Sequence, residues 1–323
     1  MKNRICEILN IEKPIIQGPM AWLTNADFVA AVSNAGGLGF LSATAGQIVD
    51  KTLTRSPEIH AERLRTEIQK TKSLTNKPFG TVVIAGSDLN YTWRIIDTVI
   101  EEKVPVVLVN GLPGLPYEKI FKPLKENNIK IVYRPNTPTI EDAKAAEKLG
   151  INVYVATGFD EGGTVPERVI GTFSIVPMIV DAINTPVMAA GGIGDVRGVR
   201  AAFALGAEGV FAGSAFIPTK ENPAAENVKQ MIVDATAEDL LMFRTLPTYY
   251  RSLPTKLVNK LVEIDKQGAS REEIAKLMVD GLRIGMLEGN TDEGYISIGT
   301  GITPIKEIRT VKEVIDTLMQ DFN

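Results

Sequence analysis

The sequence predicts an α/β protein, a (β/α)8 TIM barrel with a small helical cap segment near the C-terminus. Short apolar runs alternate with longer amphipathic segments over the first two thirds of the chain, as is typical of α/β folds. The runs are apolar throughout, as expected of parallel strands that helices cover on both faces. Eight such runs occur, at residues 14–17, 38–41, 81–85, 106–109, 129–133, 153–156, 187–190 and 209–212.

Helix boundary signals separate the predicted strands. Thr24 or Asn25 can cap the first barrel helix, Pro57 can open the next, and Asp195 can cap the helix that ends at Gly206. An open, doubly wound sheet is the competing fold. It predicts a G-x-G-x-x-G turn after the first strand, but Gly18 is followed by Pro and Met. The predicted helices are 25–33, 57 onwards, 91–102, 117–127, 139–149, 173–183 and 195–206.

The pattern changes after Ile217, where strands give way to helical periodicity. This segment is too short for an independent catalytic domain. We therefore predict a cap or lid at 221–288 on a barrel formed by 1–220 and 289–323. A turn region is expected around 244–254. Later helices are predicted at 223–234, 256–267, 271–288 and 311–319, with loops at 158–171 and 289–295.

Composition narrows the classes of function. The chain has 39 acidic and 35 basic residues with no basic block, so a nucleic-acid partner is not expected. No stretch approaches the length of a membrane span, so no membrane association is expected either. Cys6 is the one cysteine and His60 the one histidine, which excludes an intramolecular disulfide and a Cys/His zinc site. These features predict a cytoplasmic protein.

The last two predicted strands both end in glycine. Gly191 and Gly192 follow the seventh strand, and Gly213 and Ser214 follow the eighth. Glycine at a strand end leaves backbone N–H groups free to point at one anion. The last two strands of a (β/α)8 barrel, together with a helix N-terminus, commonly hold a phosphate in this way. The sequence therefore predicts a phosphate site here.

The chain resembles a known family, the nitronate monooxygenases (formerly 2-nitropropane dioxygenases) and FMN-dependent enoyl-acyl-carrier-protein reductases. The similar segments keep their order along almost the whole chain, which makes the resemblance more specific than any single glycine motif. They are PIIQGPMAW at 14–22, AAVSNAGGLG at 30–39, LTNKPFG at 74–80, GFDEGG at 158–163, PVMAAGGIG at 186–194, LGA at 205–207, GS at 213–214 and the loop 289–294.

The resemblance implies an FMN at the C-terminal mouth of the barrel, with NADH or NADPH as reductant. The substrate would be a small molecule, with acyl carrier protein as a candidate partner and a homodimer as a candidate assembly. The isoalloxazine ring would lie against the loop 18–20, and the segment 289–301 would close over the site. The implied cofactor-binding residues are Gly18, Pro19, Met20, Gly163, Gly191, Gly192, Gly213, Ser214, Gly294 and Gly299.

The chain departs from the family where a catalytic histidine is expected, directly after Gly-Gly in the strand-six loop. That position is Thr164, whose hydroxyl can bind a substrate oxygen but does not titrate near neutral pH. His60 belongs to a predicted outer helix. A family asparagine is likewise replaced by an apolar residue around Val82, and a glutamine by Thr300. Thr164 and Glu161 are the candidate catalytic residues, and Asp160, Arg168 and Tyr295 are further candidates on the mouth loops.

The resemblance favours an FMN-dependent NAD(P)H oxidoreductase that acts on an unsaturated, nitro or quinone-like acceptor. Hydride transfer needs orientation more than a side-chain acid, so it can survive the loss of the histidine. Two alternatives stay open. One is a flavin-binding sensor or catalytically quiet subunit. The other is a non-redox, phosphate-binding barrel enzyme, which the absence of lysine at the strand ends disfavours.

Overall fold

The computed structural model describes residues 3–46, 56–85, 89–111 and 114–322. Its strands lie close to the predicted positions, and additional strands occur in the second half of the chain. In chain order they are β1 Ile15–Gln17, β2 Phe40–Leu41, β3 Gly80–Ala85, β4 Val106–Gly111, β5 Lys130–Pro135, β6 Val153–Thr157, β7 Gly163–Val165, β8 Val187–Ala190, β9 Gly209–Ala212, β10 Leu241–Arg244, β11 Tyr249–Leu253 and β12 Ile296–Ser297.

Helices surround the barrel and build the cap. Several begin at the predicted caps: the Asn25 side chain accepts from the Phe28 N–H, and the Asp195 side chain accepts from Arg197 and Gly198. The α-helices of the described residues are α1 Arg4–Leu9, α2 Ala26–Asn34, α3 Pro57–Leu74, α4 Leu89–Glu101, α5 Tyr117–Glu126, α6 Ile140–Lys148, α7 Thr172–Val180, α8 Val196–Ala204, α9 Glu226–Asp234, α10 Lys256–Lys266, α11 Arg271–Leu277 and α12 Val311–Leu318.

Eight parallel strands form the predicted barrel, in the order β1-β9-β8-β6-β5-β4-β3-β2. The two ends of this order meet where Ile16 bridges Leu38 in parallel. Inward side chains such as Val82, Leu108 and Val132 fill the interior, while the alternate residues pack against the helices. Each fully buried valine or leucine contributes about 1.5–3 kcal/mol to folding. The predicted fold class is confirmed.

The lower end of the barrel is covered by α1, which the sequence did not predict. Asn3 caps this helix through a hydrogen bond from the Cys6 N–H, and Ile5 and Leu9 pack into the barrel interior. The helix thereby shields the interior at the end opposite the strand C-termini. None of the helices that the structure describes combines the length and apolar character needed to cross a lipid bilayer.

The cap contains a small antiparallel sheet in addition to its helices. The region around 244–254, expected to be turns, is a hairpin of β10 and β11 in which Phe243 pairs with Tyr250. The expected loop 158–171 contains β7, which pairs with β11, and β12 joins the other end of the same strand. Both expectations were wrong because two prolines conceal a strand rich in tyrosine.

The predicted helix 271–288 is also interrupted. The α-helix ends at Leu277, Asp280 has a φ of 60°, and a π-helical turn covers Arg283–Leu287. At Gly285, within this turn, an added Cβ would lie 2.3 Å from the Tyr295 carbonyl oxygen. The late segment of the chain therefore runs directly against this turn. The division into barrel and cap at 221 and 288 stays a prediction.

Candidate active site

A cavity of about 470 Å³ opens at the carboxyl ends of the barrel strands. Ile84, Asn110 and Arg134 form part of its floor, and Leu282 and Met286 from the cap contribute to its roof. All the residues predicted to build the site line this cavity except Gly294. They are Gly18, Pro19, Met20, Glu161, Gly163, Thr164, Gly191, Gly192, Gly213, Ser214 and Gly299.

The glycine turns after β8 and β9 form one side of the cavity, which we call the glycine cradle (Gly191, Gly192, Gly213 and Ser214). Gly191 and Gly192 have φ values of +99° and +73°, a backbone conformation that other residues rarely adopt. The backbone N–H groups of Gly192 and Gly213 donate to no acceptor among the described residues. A Cβ built on Gly213 meets no atom within 4 Å, so this side of the cradle is open. The cradle can therefore receive an anion.

The late segment of the chain returns to the barrel mouth and packs on the cradle. A Cβ on Gly194 would lie 1.8 Å from the Gly301 carbonyl oxygen, so the two backbones are in direct contact. The Gly299 N–H donates to the Ser214 hydroxyl at 2.9 Å. Gly294 lies elsewhere, next to Gly285: a Cβ added to Gly294 would lie 2.1 Å from the Gly285 nitrogen. It lies against the π-helical turn of the cap and does not line the cavity.

Two polar side chains on the cavity floor were missed by the sequence reasoning. Asn110 and Arg134 are Cα partners on β4 and β5, at the level where Ile84 occupies β3. Both strands run beyond the predicted ends at 109 and 133, so each polar residue lies on a strand at the barrel mouth. The signal was available, since a polar residue that directly follows an apolar run in a barrel is a candidate site residue.

A buried ion pair joins the floor to the strand-six loop. The Arg134 guanidinium donates to the Glu161 carboxylate, and it also lies 5.6 Å from the centroid of the Phe211 ring. Burial raises the pKa of Glu161 to about 7, although the charges of Arg134 and Arg251 oppose the rise. Glu161 therefore exchanges a proton near neutral pH.

Two buried polar atoms of the floor have no hydrogen-bond partner within the described part of the chain. They are the Asn110 Oδ1 atom and the Arg134 Nε atom. Leaving such an atom without a partner costs about 1–3 kcal/mol. An acceptor and a donor at the same level of adjacent strands are thus available to a bound molecule.

Thr164 lies on β7, opposite Tyr250 of β11, and lines the cavity. The hydroxyl groups of Tyr250 and Ser297, which are hydrogen-bonded to each other, lie beside the preceding residue, Gly163. Burial raises the pKa of Tyr250 well above its ordinary value, so this phenol stays neutral. Thr164 is a neutral hydrogen-bonding group that lines the same cavity as Glu161.

The remaining candidates lie outside the cavity lining. Asp160 accepts hydrogen bonds from the Thr172 backbone and hydroxyl at 2.7 and 3.0 Å, and so caps α7. Tyr295 packs edge-on against Tyr250 in the cap. Arg168 is exposed. His60 contacts the Tyr91 ring edge-on at 5.3 Å on the outer helices, as expected of a residue outside the site.

The positions of the other two predicted departures are also clear. Val82 is buried in the barrel interior, below the level at which Ile84 lines the cavity. Thr300 does not line the cavity, and its backbone N–H and hydroxyl donate to the Asp160 carbonyl oxygen. It thereby joins the late segment to the strand-six loop.

Fold and site together define a (β/α)8-barrel enzyme whose active site lies at the carboxyl ends of the strands. The sequence model of the nitronate monooxygenase family matches residues 2–99 and 89–321, and the chain belongs to this family. A probable nitronate monooxygenase of Staphylococcus aureus (strain MSSA476) is 35% identical over 282 residues, which cover 75% of each chain. The predicted family is confirmed, and the chain is an oxidoreductase.

Comparison with solved structures also finds proteins of similar fold. FabK from Thermotoga maritima has a TM-score of 0.86 and 32% identity, with 100% of this chain and 96% of that chain covered. A nitroalkane oxidase from Streptomyces ansochromogenes has a TM-score of 0.79 at 22% identity, over 99% of this chain and 97% of that chain. The second likeness shows the shared fold alone.

Proposed function

We propose that this protein is an FMN-dependent oxidoreductase that passes hydride from NADH or NADPH to a small unsaturated, nitro or quinone-like acceptor. The observation that carries the proposal is the glycine cradle, where two adjacent strand ends present free N–H groups to one side of the cavity. The cavity, at about 470 Å³, has the size of a cofactor site. When bound, FMN supplies a redox centre that accepts and donates hydride.

The residues of the cavity fit this cofactor. The N–H groups of Gly192 and Gly213 would hold the phosphate, and the N-terminus of α8 would add to the positive potential there. Gly18, Pro19 and Met20 would contact the ring. The polar edge of the ring would supply the hydrogen bonds that Asn110 and Arg134 lack. The unpaired Asn110 Oδ1 and Arg134 Nε atoms are thus consistent with a polar heterocycle bound next to the cavity floor.

Glu161 would hold the proton that the missing histidine holds in relatives. Its carboxyl lines the cavity, and burial raises its pKa to about 7, which is close to the optimum for an acid–base group at neutral pH. Thr164 would bind an oxygen of the acceptor through its hydroxyl. Arg134 would keep the Glu161 carboxyl directed into the cavity.

The names of the relatives suggest two classes of acceptor. Nitronates are suggested by the staphylococcal proteins, and the resemblance noted in the sequence adds enoyl thioesters. For the second class acyl carrier protein would be the partner. A homodimer stays a candidate assembly, and the cytoplasm is the proposed location.

The proposal is tested by identifying what the purified protein binds. We expect a yellow protein that releases FMN on denaturation, with about one FMN per chain, as a single cavity requires. Mass spectrometry distinguishes FMN from FAD and riboflavin. A colourless protein that does not take up FMN on reconstitution would contradict the proposal and leave a barrel enzyme with another phosphorylated ligand.

A further inference from the structure

Arg251 connects the cap to the loop that carries Glu161. It lies on β11, paired with Gly163 of β7 and Met242 of β10, and only 8% of the residue is exposed. Its Nη1 atom donates to the carbonyl oxygens of both Phe159 and Glu161. The guanidinium also lies 5.1 Å from the centroid of the Phe159 ring. A single cap residue thus holds the loop at two carbonyl groups.

The charge of Arg251 lies close to, but not in contact with, carboxylate groups. Among the residues that the structure describes, no carboxylate forms an ion pair with it, and its hydrogen bonds go to carbonyl oxygens. Burial lowers the pKa of Arg251, while the nearby charges of Asp160 and Glu161 oppose this effect. Among the described residues, the charges that act on the Glu161 carboxyl are those of Arg134, which contacts it, and of Arg251, whose own charge also faces Asp160.

We propose that Arg251 is a positioning residue for Glu161: its two bonds fix the loop so that the carboxyl faces Arg134 inside the cavity, and its positive charge acts on that carboxyl. The proposal rests on the function proposed for Glu161. An apolar residue at 251 would leave the Phe159 and Glu161 carbonyl groups without these donors. It would also remove one of the two positive charges that favour the ionised carboxyl.

Replacement of Arg251 should change the pKa of Glu161. With both guanidinium groups present, the pKa of Glu161 is about 7. Loss of Arg251 removes a nearby opposite charge from a buried site, so the pKa of Glu161 should rise further. Arg251→Lys keeps the charge and should keep the pKa close to that of the parent protein. Arg251→Gln keeps a donor for the carbonyl groups but not the charge.

The test is a pH titration of the Glu161 carboxyl by NMR, in protein labelled with ¹³C at the glutamate carboxyl groups. Glu161→Gln identifies the signal. We expect Arg251→Met and Arg251→Gln to raise the midpoint by about one pH unit, as is typical for the loss of a close opposite charge. Arg251→Lys should leave the midpoint close to that of the parent protein. The Gln variant covers the case in which the Met variant does not fold.

Arg271→Met is the matched control. Arg271 also lies over a cap aromatic ring, at 5.5 Å from the Tyr249 centroid, and donates to a carbonyl group, that of Pro247. It is not among the charges that act on Glu161. An unchanged midpoint in both Arg251→Met and Arg251→Gln would overturn the proposal. The titration needs neither FMN nor turnover, so it is independent of the proposed function. If Glu161→Gln leaves turnover intact, the proposed role of Glu161 fails while the positioning result stands.

Discussion

At the scale of single residues, the Glu161 carboxyl is affected by two guanidinium groups. Arg134 binds Glu161 directly, and Arg251 holds the backbone of the same residue. Burial dominates over both charges, because the pKa of Glu161 lies above its ordinary value. We therefore propose Glu161 as the proton-holding group of the site.

The raised pKa of Glu161 predicts a pH dependence of stability. The pKa is raised in the folded protein from 4.5 to about 7. The stabilising contribution of the protonated group is thus complete below about pH 4.5 and is lost as the pH rises through about 7. The loss amounts to about 3 kcal/mol at most. Glu161→Gln should abolish this part of the pH dependence.

Urea unfolding of the apoprotein and of Glu161→Gln, between pH 5 and pH 8, measures this effect. The free energy of unfolding of the parent protein should fall more steeply with pH than that of the variant. Glu293→Gln is the control, because Glu293 is an exposed residue of the late loop. Parallel curves for the parent protein and Glu161→Gln would contradict the account of this carboxyl.

Gly213 allows the phosphate site to be tested without disturbing the fold. An added Cβ meets no atom within 4 Å and the φ of Gly213 is −112°, so we expect Gly213→Val to fold and to project into the cradle. We expect it to weaken FMN binding about tenfold or more, which is about 1.4 kcal/mol or more. Riboflavin, which lacks the phosphate, should lose less affinity. Quenching of flavin fluorescence on binding to the apoprotein measures both.

An equal loss of affinity for FMN and riboflavin in Gly213→Val would place the phosphate elsewhere. Gly198→Ala is a suitable control variant, because its Cβ would make only ordinary contacts, 3.4 Å from Ile193, within α8. It should bind FMN as the parent protein does.

At the scale of elements, the site depends on backbone-to-backbone contacts between loops that are distant in sequence. The loop after β8 packs on the late segment at Gly194 and Gly301, and the strand-six loop packs on the same segment at Gly162 and Gly299. An added Cβ on Gly162 would lie 2.2 Å from the Ile298 carbonyl carbon. Because these glycines have no side chains, the backbones of the loops can pack directly against each other in the cavity wall.

Gly194→Ala should therefore destabilise the protein. Its methyl group would lie 1.8 Å from the Gly301 carbonyl oxygen, so one backbone must move. Overpacking of this kind costs about 1–3 kcal/mol. Gly198→Ala, four residues later on α8, should leave stability unchanged or raise it by up to about 1 kcal/mol. Thermal unfolding of both variants measures the difference, and equal melting temperatures would contradict the packing argument.

The secondary-structure elements differ in how well they could be predicted from the sequence. The barrel strands were predictable because each apolar run is bounded by glycine, proline or a helix cap, and all eight occur near their expected positions. The hairpin of β10 and β11 was missed because its stability comes from partners at β7 and β12, which are distant in the chain. Local propensity does not contain that information.

At the scale of the whole molecule, the cavity is assembled from segments spread over most of the chain, from Gly18 to Gly299. The glycine motifs could be placed there from the sequence, since a strand followed by glycine must end at the barrel mouth. Asn110 and Arg134 could have been noted as polar residues that follow apolar runs, but whether their side chains face the cavity depends on the barrel register. Gly294 shares the late glycine-rich segment, yet it serves the packing of the cap.

The central claim is that the cavity holds FMN and exchanges hydride with a nicotinamide cofactor. It is tested most directly by the absorption spectrum of the flavin-loaded protein, recorded without oxygen before and after addition of NADH and then NADPH. The account predicts flavin bands that bleach with at least one of the two nucleotides and return when an acceptor is added. Flavin bands that persist with both nucleotides would contradict the claim and favour a flavin-binding protein without this turnover.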